Sequence, residues 1–312
     1  TTGSDAVSTD QTVAVEFKVG VDAGSATLQF ISVICNPTTN WRYYGQNAGG
    51  NLSTANIYRS LSGWGFSASG AEANAQQKFR QAGTLQKGQV TITTNTSTTN
   101  ITLATRINAG AGNISISITA LTTGIFEDTA NTDTISVNDL ANWTNTGGNG
   151  TSTNAVMSIE FVSNHANINQ IQASASGGMA VGVGVTTYTL MAGLAASSTE
   201  ANVQAKIDFG YTVSTLEVYI SANATNAAST LDFRVGAATP SGSPSVSITS
   251  ATTGFFADTT SSYAGASADL INYRTVNGGG GSLTIRTIGM LMTETQTVAV
   301  VGPQVWFEFF EG

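Results

Sequence analysis

A chain of 312 residues carries the stretch TTGIFEDT at residues 122–129, and this stretch returns as TTGFFADT at residues 252–259. Two more pairs of matching segments occur in the same order: EANAQ at 72–76 with EANVQ at 200–204, and DLANW at 139–143 with DLINY at 269–273. The partners are 128 residues apart in the EAN pair and 130 apart in the other two. Matches in one order at a nearly constant spacing are typical of an internal repeat. The sequence therefore predicts two copies of one domain, produced by internal duplication.

Hydrophobic and polar residues alternate within both copies. Ile114, Ile116 and Ile118 are separated by single polar residues, and so are Leu231 and Phe233. A period of two with β-branched and aromatic residues predicts half-buried antiparallel strands. About eight such strands per copy favour a two-sheet, jelly-roll-like sandwich, with an immunoglobulin-type sandwich as the second choice. The expected fold class is all-β, with two tandem antiparallel β-sandwich domains.

The ends of the repeat suggest a division of the chain into segments. We expect an N-terminal arm at 1–12, a first β-sandwich at 13–162 with an insertion at 36–60, a linker at 163–178, and a second β-sandwich at 179–312 with a C-terminal extension. The linker is assigned because 163–178 is rich in small and polar residues. The insertion is assigned because 36–60 has no matching sequence in the second copy.

Composition limits the partners. Only 10% of the residues are charged, the net charge is −8, and the 11 basic residues form no cluster. Binding to nucleic acid requires clustered Lys and Arg, so we expect no nucleic-acid partner. No run of 18 apolar residues occurs, so we expect no membrane insertion.

Few residues are suited to catalysis. His165 is the one histidine and falls in the expected linker, and Cys35 is the one cysteine and falls in an apolar run typical of a buried thiol. Serine nucleophiles need an activating base, and zinc sites need several Cys or His ligands. We therefore expect neither enzymatic activity nor a cofactor.

Two carboxylates recur in both copies, Asp128 and Asp139 in the first, and Asp258 and Asp269 in the second. A calcium site would use such oxygen ligands. Each aspartate, however, lies beside a predicted turn, where Asp accepts hydrogen bonds from nearby backbone N–H groups. We therefore favour a turn-forming role over a metal site.

Two aromatic clusters are candidate interfaces. The first is Trp41, Arg42, Tyr43 and Tyr44, within the expected insertion, and the second is Val305, Trp306, Phe307, Phe309 and Phe310, in the C-terminal extension. Aromatic residues and Arg are enriched in protein interfaces. We read the first cluster as a surface loop that contacts another subunit; core packing or ligand binding would be the alternatives. The second cluster is expected to form a last strand or to dock on a neighbouring subunit.

The repeated pattern EANxQ, then TTGxFxDT, then DLxN followed by Trp or Tyr, resembles a β-sandwich repeat of bacteriophage virion structural proteins. The resemblance covers about 70–75 residues of each copy and supplies no catalytic residues. It implies a virion-surface location and a capsid, decoration or fibre-like role.

The function expected from these features is non-enzymatic self-assembly. The expected partners are further copies of the chain, in a homo-oligomer that we expect to be a trimer, and other capsid or virion proteins. The alternatives are an extracellular filament subunit or adhesin on a microbial cell surface, and a carbohydrate-binding module that recognises surface glycans.

Overall fold

The structure is a computed structural model that describes residues 41–52, 57–64, 69–165, 168–191, 193–194, 196–207 and 209–295. These residues form twenty β-strands and two 3₁₀ helices of three and four residues. The predicted all-β class is confirmed. The arm at 1–12, Cys35 and the aromatic cluster at 305–310 lie outside the described residues.

The strands fall into two groups of ten. The first group is β1 (Trp41–Leu52), β2 (Ile57–Arg59), β3 (Gly63–Trp64), β4 (Gln77–Lys78), β5 (Gly83–Asn95), β6 (Ile101–Ile107), β7 (Gly110–Ile118), β8 (Gly124–Ile135), β9 (Leu140–Gly147) and β10 (Ser152–Ser163). The second group is β11 (Ile168–Val181), β12 (Thr186–Thr189), β13 (Ala196–Ser197), β14 (Ala205–Lys206), β15 (Tyr211–Asn223), β16 (Ser229–Val235), β17 (Ser245–Ile248), β18 (Gly254–Gly265), β19 (Leu270–Val276) and β20 (Leu283–Glu294).

Each group forms a two-sheet jelly roll. In the first, the strand orders are β1-β10-β5-β8 and β2-β9-β6-β7; in the second, they are β11-β20-β15-β18 and β12-β19-β16-β17. Of the eight main strands in each half, the first, eighth, third and sixth make one sheet and the second, seventh, fourth and fifth make the other. Successive strands thus alternate between facing sheets in most of the chain, which is the wrapping of a jelly roll.

The alternating residues form one core in each half. The first core contains Trp143, Phe161 and the isoleucines of β7, all buried. The second contains Tyr273, which occupies the place of Trp143, together with Phe233 and the apolar residues of β20. Burial of these faces stabilises the fold by about 25 cal/mol per Å² of apolar surface.

Strand register shows that the two halves correspond over more of the chain than the sequence matches reveal. Trp41 of β1 pairs with Val162, and Ile168 of β11 pairs with Thr293, the counterpart of Val162. β1 and β11 are therefore equivalent first strands. The expected insertion at 36–60 is wrong for the described residues 41–52, because these residues are part of the shared fold. The expected linker at 163–178 is likewise wrong, because β11 begins at Ile168.

Two short segments depart from the strand pattern. Residues 72–74 and 200–203 form 3₁₀ helices. In each half, a glutamate in the helix pairs with an arginine of the jelly roll: Glu72 Oε1 lies 2.6 Å from Arg106 Nε, and Glu200 Oε1 lies 2.8 Å from Arg234 Nε. These ion pairs hold the helical turn against the sheet, a tertiary effect that strand periodicity does not report.

The repeated aspartates Asp128 and Asp258 accept nearby backbone hydrogen bonds as predicted, but within β8 and β18 and not in turns. Asp128 accepts backbone N–H bonds from Ala130 and Asn131, and also from Ser115 of the opposite sheet. Asp258 does the same with Thr260, Ser261 and Ser245. The halves therefore share contacts as well as strand order. Their common origin by duplication stays a prediction.

Candidate interaction surfaces

The two jelly rolls share a continuous sheet. The two-residue strand β3 pairs in parallel with β1 and, on its other side, with β11, where Trp64 lies opposite Ala175. The result is a single nine-stranded sheet, with β8 and β18 at its two ends. The sheet therefore continues from one half into the other through β3.

Polar contacts extend this junction across the outer face of β11. Gln170 and Gln172, both buried, donate from their side-chain Nε2 atoms to the carbonyl oxygen of Lys78 at 2.6 and 2.8 Å. The backbone N–H of Arg80 donates to Oε1 of Gln170 at 2.7 Å, and the hydroxyl of Ser174 donates to the carbonyl of Ser62. These bonds satisfy backbone groups that would otherwise be buried without partners.

A buried ion pair lies at the centre of the junction. Arg80 of the first half approaches Glu217 of β15 with Nη2 2.6 Å from Oε2, and its Nη1 donates to Asn138 at 2.7 Å. The Glu217 side chain is 4% exposed and that of Arg80 is 14% exposed. A Cβ at Gly289, on the neighbouring strand, would lie 3.3 Å from Cγ and Oε1 of Glu217. The glycine thus leaves room for the carboxylate to lie across the sheet.

Electrostatics at Glu217 reflects two opposing effects. Burial raises the pKa of Glu217, while the charges of Arg80 and Lys78 and the Arg80 hydrogen bond lower it; the net result is a pKa above the ordinary glutamate value. The ionised carboxylate is therefore costly to bury, and Arg80 offsets part of that cost.

An aromatic contact completes the junction at the far edge of the same sheet. The Lys78 ammonium lies 5.2 Å from the ring centre of Phe255, in β18, and Phe255 packs against Tyr219 with ring centres 4.8 Å apart. The first half therefore covers the outer face of the second half's sheet from β11 to β18.

The structure places the first predicted aromatic cluster in a strand. Trp41, Arg42, Tyr43 and Tyr44 lie in β1, between β10 and β3, so the expected surface loop is wrong. By strand pairing, Tyr43 holds the position that Gln170 holds in β11, because Tyr43 pairs with Glu160 and Gln170 with its counterpart Leu291. Their contact with another subunit stays a prediction.

The sequence did not predict the junction between the two jelly rolls. Arg80, Glu217 and Phe255 come from segments far apart in sequence, and nothing in their local pattern shows that they meet. A weak signal existed in the repeat: the positions of Arg80 and Glu217 hold Asp208 and Gln89 in the other copy, so the shared fold does not require this ion pair.

His165, the one histidine of the sequence, makes a local hydrogen bond. Its backbone N–H donates to Ser163 Oγ at 3.0 Å. Within the described ranges, no three His, Cys, Asp or Glu side chains are grouped so as to hold a metal ion. None of the helices in the described part of the chain has the length and hydropathy needed to span a membrane.

Comparison with protein-family models, with curated proteins and with solved structures finds no match to this chain.

Proposed function

We propose that this chain is a structural subunit that self-assembles into the protein layer of a virion. The observation that carries the proposal is the junction between the jelly rolls. A shared sheet, buried side-chain amides and a buried ion pair join two similar sandwiches into one unit. A unit with two similar halves is suited to tiling, because each half presents a related surface to neighbouring copies.

Composition supports the same proposal. The charged fraction of 10% is far below the roughly 25% of ordinary soluble domains. A surface of Thr, Ser, Asn and Gln allows close approach of identical copies without strong repulsion between like charges. The trimer expected from the sequence would bring six jelly rolls together, and the virion surface is the proposed location.

The test is the size and shape of the assembly formed by the purified chain. Sedimentation velocity combined with negative-stain electron microscopy should show a discrete homo-oligomer, expected to be a trimer, that forms flat or curved layers at high concentration. A strictly monomeric chain at all concentrations would refute the proposal. Linear fibres would favour the filament alternative, and a specific signal on a glycan array from a monomeric chain would favour a carbohydrate-binding module.

A further inference from the structure

We infer that the junction between the two jelly rolls also forms between chains, so that the first jelly roll of one copy docks on the outer face of the second jelly roll of another copy. The contact uses the side chains that meet within one chain: Lys78 and Arg80 from the first half, and Glu217 and Phe255 from the second. Exchange of an identical element between protomers is domain swapping. The inference rests on the proposed self-assembly and names the contact through which copies join.

Each jelly roll has a core of its own. The buried apolar residues form two clusters, one confined to residues 52–161 and the other to residues 171–292. In the part of the chain that the structure describes, no buried apolar cluster includes residues of both halves. Burial of apolar surface is the main favourable contribution to folding. Opening the junction therefore leaves both cores intact.

Few backbone contacts hold the two halves together. The short strand β3 pairs with β11 at one residue, Ala175, whereas β1 and β10 pair at ten residues within the first half. The other contacts across the junction are polar side-chain bonds and one cation–π contact. Relative motion is the default for two domains that share a small, polar interface. The junction should therefore open at a much smaller cost in free energy than the unfolding of either half.

The connection between the halves favours exchange. β10 ends at Ser163 and β11 begins at Ile168, so four residues join the two jelly rolls. Four residues span at most about 14 Å. A short connection leaves little slack for one half to fold back on the other, and short connections of this kind favour domain swapping.

The buried ion pair selects the partner. The Arg80 guanidinium lies 2.6 Å from the Glu217 carboxylate, whose side chain is 4% exposed. The corresponding positions of the other copy of the repeat hold Asp208 and Gln89. Two first halves, or two second halves, therefore cannot reproduce the pair. The face around Glu217 fits a first jelly roll, and every further copy of the chain supplies one.

Concentration decides which form of the junction is present. The connection gives the contact within one chain an effective concentration, and the same contact between chains competes with it as copies become crowded. We expect closed monomers in dilute solution and exchanged junctions in assembled material. Each exchanged contact joins the first half of one copy to the second half of another. The exchange closes into a ring, which includes the expected trimer, or continues as an open array.

Charge reversal across the junction tests the inference. An Arg80→Glu chain and a Glu217→Arg chain each place like charges at their own junction. In a mixture, exchange restores opposite charges, because the new glutamate of one chain meets the new arginine of the other. We expect native mass spectrometry to detect complexes of both chains at concentrations at least about tenfold below those at which either variant alone associates.

The matched control is one chain with both reversals, which restores the pair internally and should be as monomeric as the wild type at the same dilution. A mixture that behaves as the sum of the two separate variants would overturn the inference.

Crosslinking tests exchange with the natural ion pair in place. In a Cys35→Ser background, chains carrying Lys78→Cys are assembled together with chains carrying Phe255→Cys and treated with a short bismaleimide. These positions are close, since the Lys78 ammonium lies 5.2 Å from the ring centre of Phe255. We expect a covalent dimer from the mixture and not from either chain alone. The positive control carries both substitutions in one chain and should crosslink internally.

The outcomes separate this inference from the proposed function. If the mixture assembles without a covalent dimer, the inference is wrong and the proposed function stands. If covalent dimers form but no larger assembly follows, the inference stands and the proposed layer is wrong. If neither dimers nor assemblies form, both are wrong.

Discussion

Removing Arg80 should destabilise the protein in a strongly pH-dependent way. In an Arg80→Met variant, Glu217 loses the ion pair at 2.6 Å and remains buried, with its side chain 4% exposed. Breaking a buried ion pair costs about 3–5 kcal/mol. Arg80 is itself 14% exposed, and Lys78 remains near the carboxylate. We therefore expect the lower limit, about 3 kcal/mol of unfolding free energy at pH 8.

The sign of the pH dependence follows from the raised pKa of Glu217. A carboxyl group whose folded pKa lies above its unfolded pKa binds its proton more tightly in the folded state. Its favourable contribution is complete below the unfolded pKa and is lost as the pH rises through the folded pKa. The Arg80→Met change raises the folded pKa further. The deficit relative to wild type should therefore shrink at acid pH, to about 1 kcal/mol for the lost hydrogen bonds.

Calorimetric unfolding at pH 4 and pH 8 measures this effect, with Glu217→Gln as the matched control that carries no titrating group. We expect the double variant, Arg80→Met with Glu217→Gln, to lose less stability at pH 8 than the two single changes add up to, because it leaves no unpaired buried charge. The halves should also unfold in more clearly separated transitions in Arg80→Met. An equal deficit at both pH values, or strict additivity of the two changes, would refute the reasoning.

Four further predictions concern individual side chains. Asp128→Ala should cost about 1 kcal/mol, because it removes the acceptor of the Ser115, Ala130 and Asn131 backbone N–H groups, which belong to exposed residues. Thermal unfolding measures this cost, and a neutral change would contradict the hydrogen-bonding role. Burial raises the pKa of Asp258, but the Ser261 side chain and three backbone N–H groups lower it more, so the net pKa is below the ordinary Asp value. The stabilisation from Asp258 should therefore be present above the ordinary Asp pKa and lost as the pH falls through the folded pKa. Acid unfolding of the wild type and of Asp258→Asn, compared over this pH range, measures that loss. Glu200→Ala should lower the unfolding free energy by about 2 kcal/mol, and Glu72→Ala by less, because a more buried ion pair is less screened by water. The Arg234 side chain is 7% exposed and that of Arg106 is 24% exposed. Urea unfolding measures both losses, and a larger loss for Glu72→Ala would count against this prediction. Tyr43→Ala should weaken assembly in sedimentation velocity, because Tyr43 holds the position of the junction residue Gln170, and unchanged assembly would remove Tyr43 from the interface.

The sequence was sufficient to predict the sandwiches where its pattern was strong. The alternating isoleucines of β7 form a half-buried strand, as expected, and the apolar residues Leu231 and Phe233 of β16 are buried. The local hydrogen bonds of Asp128 and Asp258 were also predictable, because these donors lie two or three residues away. Local patterns report local structure, and in these segments tertiary packing agrees with them.

The sequence did not predict the first strand of either half. Trp41-Arg42-Tyr43-Tyr44 and Ile168-Asn169-Gln170-Ile171 share little residue chemistry, yet they pair identically with the last strand of their jelly roll. The Gly and Asn residues after Tyr44 also suggested a loop. Backbone pairing with a long neighbour stabilises a strand whatever its side chains, so register revealed an equivalence that residue matching could not.

The junction has a consequence for synthesis of the chain on the ribosome. The first jelly roll ends with β10 at Ser163, 54 residues before Glu217, and at 5–20 residues per second this interval is roughly 3–11 s. During it, the completed first jelly roll exposes the edge that the second will later cover, including β3 with one side unpaired. Crowded polysomes making this chain would bring many such edges close together. Premature pairing between neighbouring nascent chains is therefore a hazard that we expect in its biosynthesis, and a chaperone that covers β3 until the second jelly roll folds would reduce it.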